Sequence, residues 1–293
     1  MDRKILLLGL GLCIPPGANA QNLFLEVHGT YQFPIGGIAD YDESTSTTAS
    51  GTTTTYNSVS RNYGKGPGGG FVLGGSLTQL LGWEARFTFI TGGTTTVKYN
   101  STSPSYTSAG EAGSFGRYVR FEPAIRIRTG DGAQCWYAAF GPSLALFPKA
   151  INTYEYNTQG PTPISSRSVF EQSGSVGWGG FGALGYSSQR PGKVGYFAEL
   201  NCTAQSWAPA KAEVTEYTVN GEDRLGTLST AGRELEYVNG YTDTGDTNPD
   251  APSKALKEYL PMSTWGIRAG IRFTIGRQVR HELELKEEQV PGR

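Results

Sequence analysis

The chain has 293 residues, 41 of them glycine, with only 37% hydrophobic residues and 25 basic against 26 acidic side chains. The balanced charge gives no electrostatic footprint for a nucleic-acid partner. Beyond residue 20 no continuous apolar run reaches the about 20 residues that a spanning helix needs, so any membrane passage would have to be made by strands closed on themselves.

Residues 1–20 read as a secretory signal peptide, with Arg3 and Lys4, an apolar run over 5–13, and Ala18-Asn19-Ala20 as a small-x-small cleavage site. The run is too short to span, and Leu12 argues against lipidation of Cys13. Export leaves 21–276 as the folded unit and 277–293 as a short polar periplasmic tail.

From there the chain alternates. Residues 23–33 place Leu23, Leu25, Val27, Gly29, Tyr31 and Phe33 opposite Phe24, Glu26, His28, Thr30 and Gln32. Residues 71–78 follow, then 83–91, where Trp83, Ala85, Phe87 and Phe89 oppose Glu84, Arg86 and Thr88. In 119–128, Val119, Phe121, Pro123, Ile125 and Ile127 oppose Arg120, Glu122, Ala124, Arg126 and Arg128. Segments 135–147, 176–187 and 194–205 repeat the pattern, and 265–275 is the strictest, with Trp265, Ile267, Ala269, Ile271, Phe273 and Ile275 against two arginines, Arg268 and Arg272. Side chains alternate across a strand, and a strand apolar on one side and charged on the other over about 9 to 11 residues matches one that faces lipid outside and a polar lumen inside. The expected fold is therefore all-β: a closed antiparallel eight-stranded transmembrane β-barrel.

The connections alternate between short (79–82, 129–133, 188–193) and long (34–70, 92–116, 148–174, 207–262). In outer-membrane barrels short turns lie in the periplasm and long loops outside, which puts both termini in the periplasm. Register is over-determined: slipping 265–275 by one residue turns Arg268 and Arg272 outward, at about 2 to 4 kcal/mol for each cation at the bilayer midplane. Trp83 and Trp136 then fall at the periplasmic rim and Trp178, Trp207 and Trp265 at the outer rim, as an aromatic girdle requires; Trp207 fits only if a bulge reverses its parity. Ser/Thr-rich 44–55 reads as mobile.

The lumen face collects Glu26, His28, Glu84, Glu122 and Glu199 with Arg86, Arg120, Arg126, Arg128, Arg268 and Arg272. An interior of this size is just filled by side chains, so these groups are expected to form an ion-pair network that plugs the barrel; a narrow anion-selective path is the alternative that the excess of arginine favours. No catalytic residues are assigned. The mature chain has two histidines, His28 and His281, and neither lies in a recognisable serine motif. Opposite parity of Cys135 and Cys202 predicts two free thiols, and no metal or cofactor site has ligand spacing. Gly180, Gly182 and Gly185 match dinucleotide-fingerprint spacing, but inside a strand with no following helix. The 207–262 loop, acidic at Glu213, Glu216, Glu222, Asp223, Glu234, Glu236, Asp243, Asp246 and Asp250, is the candidate surface for an envelope or surface partner.

Three stretches, Tyr137-Ala-Ala-Phe-Gly-Pro-Ser143, Gly195-Tyr-Phe-Ala-Glu-Leu-Asn201 leading into Pro209-Ala-Lys-Ala-Glu-Val-Thr-Glu-Tyr217, and Pro252-Ser-Lys-Ala-Leu-Lys257, resemble the small eight-stranded outer-membrane β-barrels of the OmpA/OmpX type, a porin-like family. The last strand also resembles the signal read by the barrel-assembly machinery, with Arg268, Gly270, Phe273 and Ile275 in its places, although this sequence continues beyond it. The resemblance implies a bacterial outer-membrane protein contacting outer-membrane lipid and, during biogenesis, that machinery. The expected role is non-catalytic: surface loops displayed for envelope integrity, adhesion or partner binding. A lipid-modifying enzyme or a channel on the same scaffold is the alternative, and an exported soluble sandwich a third.

Overall fold

A computed structural model describes residues 23–129, 134–188, 194–242 and 248–275. The expected signal peptide, the tail at 277–293, His281, Asp243 and Asp246 lie outside the described residues.

The described chain is all-β. In order, the strands are β1 (Leu23–Pro34), β2 (Ile38–Thr48), β3 (Gly51–Arg61), β4 (Gly66–Ser76), β5 (Leu81–Thr91), β6 (Thr95–Thr102), β7 (Thr107–Arg128), β8 (Gln134–Gln159) and β9 (Ile164–Ser173). They continue as β10 (Gly177–Ser188), β11 (Gly195–Trp207), β12 (Lys211–Val219), β13 (Glu222–Asp223), β14 (Glu234–Val238), β15 (Ser253–Leu256), β16 (Leu260–Pro261) and β17 (Thr264–Ile275). Two short helical turns, Leu225–Thr227 and Thr230–Arg233, lie between β13 and β14, the second capped by Ser229.

Seventeen strands replace the expected eight. The eight alternating segments do form a ring: β1 pairs with β4, β4 with β5, β5 with β7, β7 with β8, β8 with β10, β10 with β11 and β11 with β17, all antiparallel. β17 also pairs with β1 along its full length, from Leu23 opposite Ile275 to Pro34 opposite Thr264, so the hydrogen-bonded circuit returns to its start. The two described ends therefore meet at one end of the ring, the end that also carries the short connection between β4 and β5.

The other nine strands come from what the sequence suggested were loops. β7 and β8 run on past the ring as a long hairpin, Thr107 opposite Gln159 down to Arg117 opposite Lys149. On one side this hairpin is extended by β6 and then by β2 and β3; on the other by β9, β12, β14 and β15. The result is an outer sheet continuous with the ring. Residues 44–55, expected to be mobile, sit in the β2–β3 hairpin, with Thr45 bonded to Thr54 at 3.0 Å and Thr47 to Thr52 at 3.1 Å. Low apolar content argued for disorder, but threonine is β-branched and suits a pleated surface, and cross-strand Thr pairs support such a hairpin without a core.

Within the ring the faces separate as the alternation requires. Glu26, His28, Thr30 and Gln32 are buried, whereas Val27 and Tyr31 are half exposed. Ile267 and Ile271 point out while Arg268 and Arg272 are buried. The seam between β1 and β17 gives a direct test: a Gly29→Cys/Ala269→Cys pair, opposite each other on the outward face, is expected to form a disulfide under mild oxidation, seen as a two-proton mass loss. If Gly29→Cys/Gly69→Cys across the other edge of β1 cross-links and the seam pair does not, the ring is open there.

Candidate functional site: a charged interior beneath an apolar cap

Four arginines and three glutamates inside the ring form one alternating chain: Arg272, Glu26, Arg126, Glu84, Arg86, Glu199, Arg268. The contacts are Arg272 to Glu26 at 2.8 Å, Arg126 to Glu26 at 3.1 Å and to Glu84 at 3.3 Å, Arg86 to Glu84 and, at 3.0 Å, to Glu199, and Arg268 to Glu199 at 2.7 Å. All three carboxylates have fully buried side chains. Because β5 and β11 stand opposite each other in the ring order, the Arg86–Glu199 bridge runs straight across the interior. Every carboxylate serves two guanidiniums, and both ends of the chain are cationic, leaving one guanidinium in excess.

Aromatic faces take up part of that excess. The Arg126 guanidinium lies 3.4 Å from the Tyr137 ring centre, Arg272 lies 4.0 Å from Phe24, and Arg86 lies 4.8 Å from Phe181, within the range where a ring face attracts a cation. Tyr137 also donates its hydroxyl to Glu199 at 3.1 Å. The alternation of 23–33 already places Phe24 on the charged face; Tyr137 and Phe181 were missed, although their parity matches that of the inward residues and could have placed them.

The remaining predicted lumen residues behave differently. Arg120 lies 3.9 Å from Glu122, but its main contacts form a separate neutral layer: it donates to Tyr118, Thr203 and Thr264. Among the described residues His28 joins no ion pair; its Nε2 lies 3.1 Å from the Thr88 hydroxyl. Arg128 is only half buried and reaches the turn between β4 and β5, donating to Ser76 Oγ at 3.0 Å and the Thr78 carbonyl at 3.1 Å. It lies one strand end away from the network, so it is a rim residue. Cys135 is buried 3.3 Å from Ser187 Oγ, and Cys202 faces outward.

At the other end an apolar cap closes the ring, built from Tyr63, Ile90, Tyr118, Ala145, Ala150, Trp207, Leu260 and Met262. Trp207 is thus inside, with its indole N–H donating to the Gly174 carbonyl at 2.8 Å, and it leaves the girdle; no bulge reverses its parity. Residues 62–65 cross the mouth as a strap. Asn62 donates to the carbonyls of Gly36 and Ser263, both at 3.0 Å, the Tyr63 amide donates to Pro261, and the Tyr63 hydroxyl reaches Asn152 at 3.3 Å. A Cβ on Gly64 would meet the Met262 carbonyl oxygen at 2.3 Å, so only glycine lets the strap lie this close. Burial pushes the Tyr63 phenol above its ordinary pKa. No periodic signal in the sequence marks this segment.

On the outside, Trp136 packs edge-on against Tyr186 at the short-turn end, and Trp265 stacks on Phe33 at 4.3 Å at the opposite end, the same end as Trp178. Trp83 is half buried beside Gly75. Of the suggested assembly signal, Arg268 is buried in the network while Phe273 and Ile275 face out near the end of β17.

No protein-family model matches the sequence, and no curated protein is significantly similar to it. Among solved structures, the crystal structure of Acinetobacter baumannii CarO2 aligns over 87% of this chain and 99% of that one, at 10% identity and a TM-score of 0.30. An overlap of that size assigns neither family nor role.

The network makes a sharp stability prediction. Glu199→Gln leaves Arg86 and Arg268 without their shared carboxylate, and urea unfolding is expected to show a loss of about 3 to 5 kcal/mol, as for other broken buried pairs. Glu222→Gln, at an exposed pair with Arg224, is the control and is expected to cost less than about 1 kcal/mol.

Proposed function

We propose that the ring is a closed, eight-stranded transmembrane β-barrel of the bacterial outer membrane, plugged by its own side chains, and that the outer sheet is its working surface. The observation that carries this reading is the inversion of polarity. Seven charged groups in one ion-pair chain are buried inside, while Val27, Phe71, Phe89, Ile125, Phe140, Leu184, Leu200, Ile267 and Ile271 are exposed on the outside of the same strands. Contiguous apolar surface of this extent marks contact with another apolar phase, and in lipid a ring meets the need to satisfy every backbone group internally.

In this reading the short-turn end and both termini are periplasmic, residues 1–20 direct export, and β17 carries the signal for the assembly machinery. The role is non-catalytic. The ion-pair chain across the interior and the apolar cap over it support a plug over an anion path. The outer sheet, including the acidic 207–262 segment that supplies β12 to β16, is then held rigidly outside the cell for contact with envelope or surface partners.

Lipids brominated along the acyl chain quench only tryptophans that touch the bilayer core or its edge. Folded into phosphatidylcholine vesicles carrying such lipid, the protein is expected to lose most emission from Trp136, Trp178 and Trp265, and little from Trp207, in single-tryptophan variants. Strong quenching of Trp207 with none of Trp178 would reverse the assignment of inside and outside. Planar-bilayer recordings on the same preparation are expected to show no steady openings, whereas sustained anion-selective conductance would replace the plug with a channel.

A further inference from the structure

Two features sit next to each other on the outward face of the long β7–β8 hairpin, just beyond the apolar band. The first is a row of cations. In one rung of the sheet Arg117 on β7 faces Lys149 on β8, then Ser173 on β9, then Lys211 on β12. Arg117 and Lys149 share a single carboxylate, Glu171, at 3.5 and 2.5 Å. The other acids near the row are Glu236, opposite Lys211, and, in the neighbouring rung, Glu213 between Glu171 and Glu234; Arg117 and Lys149 stand at the end of the row nearer the ring, away from Glu234 and Glu236. On the lipid side the row meets Phe147, which is 72% exposed.

The second is a hollow of about 280 Å³ that begins two residues beyond Arg117, at Phe115, with Gly113 in its floor. Thr96 and Thr153 supply hydroxyls, Glu111 and Glu155 carboxylates, and Arg167 a guanidinium. It continues into a second hollow of about 210 Å³ that shares Glu111 and Glu155. These two glutamates lie directly opposite each other across the strand pair, an arrangement that destabilises a sheet. Glu155 is compensated by Arg167 at 2.6 Å; Glu111 faces Lys98 across its other edge, on β6, without an ion pair closer than 4 Å among the described residues. The Glu111 carboxylate can accept from sugar hydroxyls, beside threonine hydroxyls that both donate and accept.

We propose that this face of β7, β8 and β9 binds the phosphorylated sugar headgroup of a membrane glycolipid, with phosphate on Arg117 and Lys149 and the sugar in the hollow around Gly113. The proposal rests on the barrel reading, which sets the cation row at headgroup height. From Arg117 to Gly113 is roughly 13 Å along the strand, at about 3.3 Å per residue, room for one or two sugar rings. Guanidinium and ammonium groups near a membrane surface favour anionic headgroups. A soluble saccharide would not explain why the row adjoins exposed Phe147.

The test uses the full chain in detergent and native mass spectrometry with three probes: a bis-phosphorylated glucosamine-disaccharide lipid, the same lipid with its phosphates removed, and phosphatidic acid. The wild type is expected to hold the phosphorylated glycolipid at least tenfold more tightly than either other probe. Arg117→Gln/Lys149→Gln should weaken it roughly tenfold to thirtyfold, because neither substituted side chain can neutralise the phosphate. Gly113→Phe fills the hollow, where an added Cβ meets only the Thr94 methyl at 3.7 Å; it should weaken both glycolipids and leave phosphatidic acid unchanged. Equal binding of all three probes by the wild type, or glycolipid binding that neither variant moves, would overturn the proposal. Quenching of Trp178 by brominated phosphatidylcholine on the same preparations separates the two failures: retained, only the glycolipid site falls; lost, the barrel reading falls with it.

Discussion

Everything in this molecule depends on one constraint: a ring of eight strands has an interior that side chains must fill, and a charge placed there cannot stay unpaired. The solution is a linear chain of ion pairs and not a set of isolated bridges. Because Glu26, Glu84 and Glu199 each sit between two arginines, the chain ties β1, β5, β7, β11 and β17 to one another across the interior. An apolar filling would supply contact without direction. Opposite charges at fixed heights accept only one arrangement of strands, since a slip of one residue moves every charge to the wrong face.

The two ends of the ring are filled by different physics. Near the short turns, charge and aromatic faces dominate; toward the outer sheet the filling passes through the neutral layer around Arg120 and ends in the apolar cap. The change follows the supply of side chains. The network draws on the alternating strands of the ring, whereas the cap is completed by Tyr63, Leu260 and Met262, which arrive on segments that enter the mouth from outside. The strap that carries Tyr63 is held by backbone acceptors at Gly36 and Ser263, so closing the mouth and positioning the last strand are the same set of bonds.

What could be read from the sequence was the part governed by period two. The ring strands, their facing and the inward position of Glu26, Arg86, Arg126, Glu199, Arg268 and Arg272 all follow from alternation, because a polar interior and an apolar exterior leave no freedom in parity. Arg128 shares that parity yet leaves the network, since parity fixes a face and not a height. The outer strands were not legible, because β2, β3 and, apart from Gln172, β9 are exposed or half exposed on both faces and carry no hydrophobic alternation to betray them. Their pairing is set by the hairpins they extend. Trp207 shows the opposite error: tryptophan's preference for a membrane interface points it outward, its parity points it inward, and parity is right.

The junction between ring and outer sheet is itself encoded in one local feature. Between Val119 opposite Leu146 and Arg117 opposite Lys149 the register of β7 and β8 shifts, and Phe147 takes a φ of 53°, a left-handed conformation unusual for a bulky residue. Such a bulge adds a residue to one strand and increases its bend and twist. Here it turns Phe147 outward at the edge of the apolar band and starts the polar register in which Lys149 lies level with Arg117. The same irregularity thus ends the apolar surface, begins the cationic row and redirects the hairpin on which the outer sheet is assembled. Because the strands on either side of it are continuous, the outer sheet inherits the rigidity of the packed ring below. An outer sheet built this way needs no separate domain core, which explains how Thr-, Ser- and Gly-rich segments with few apolar residues can be held in a defined shape.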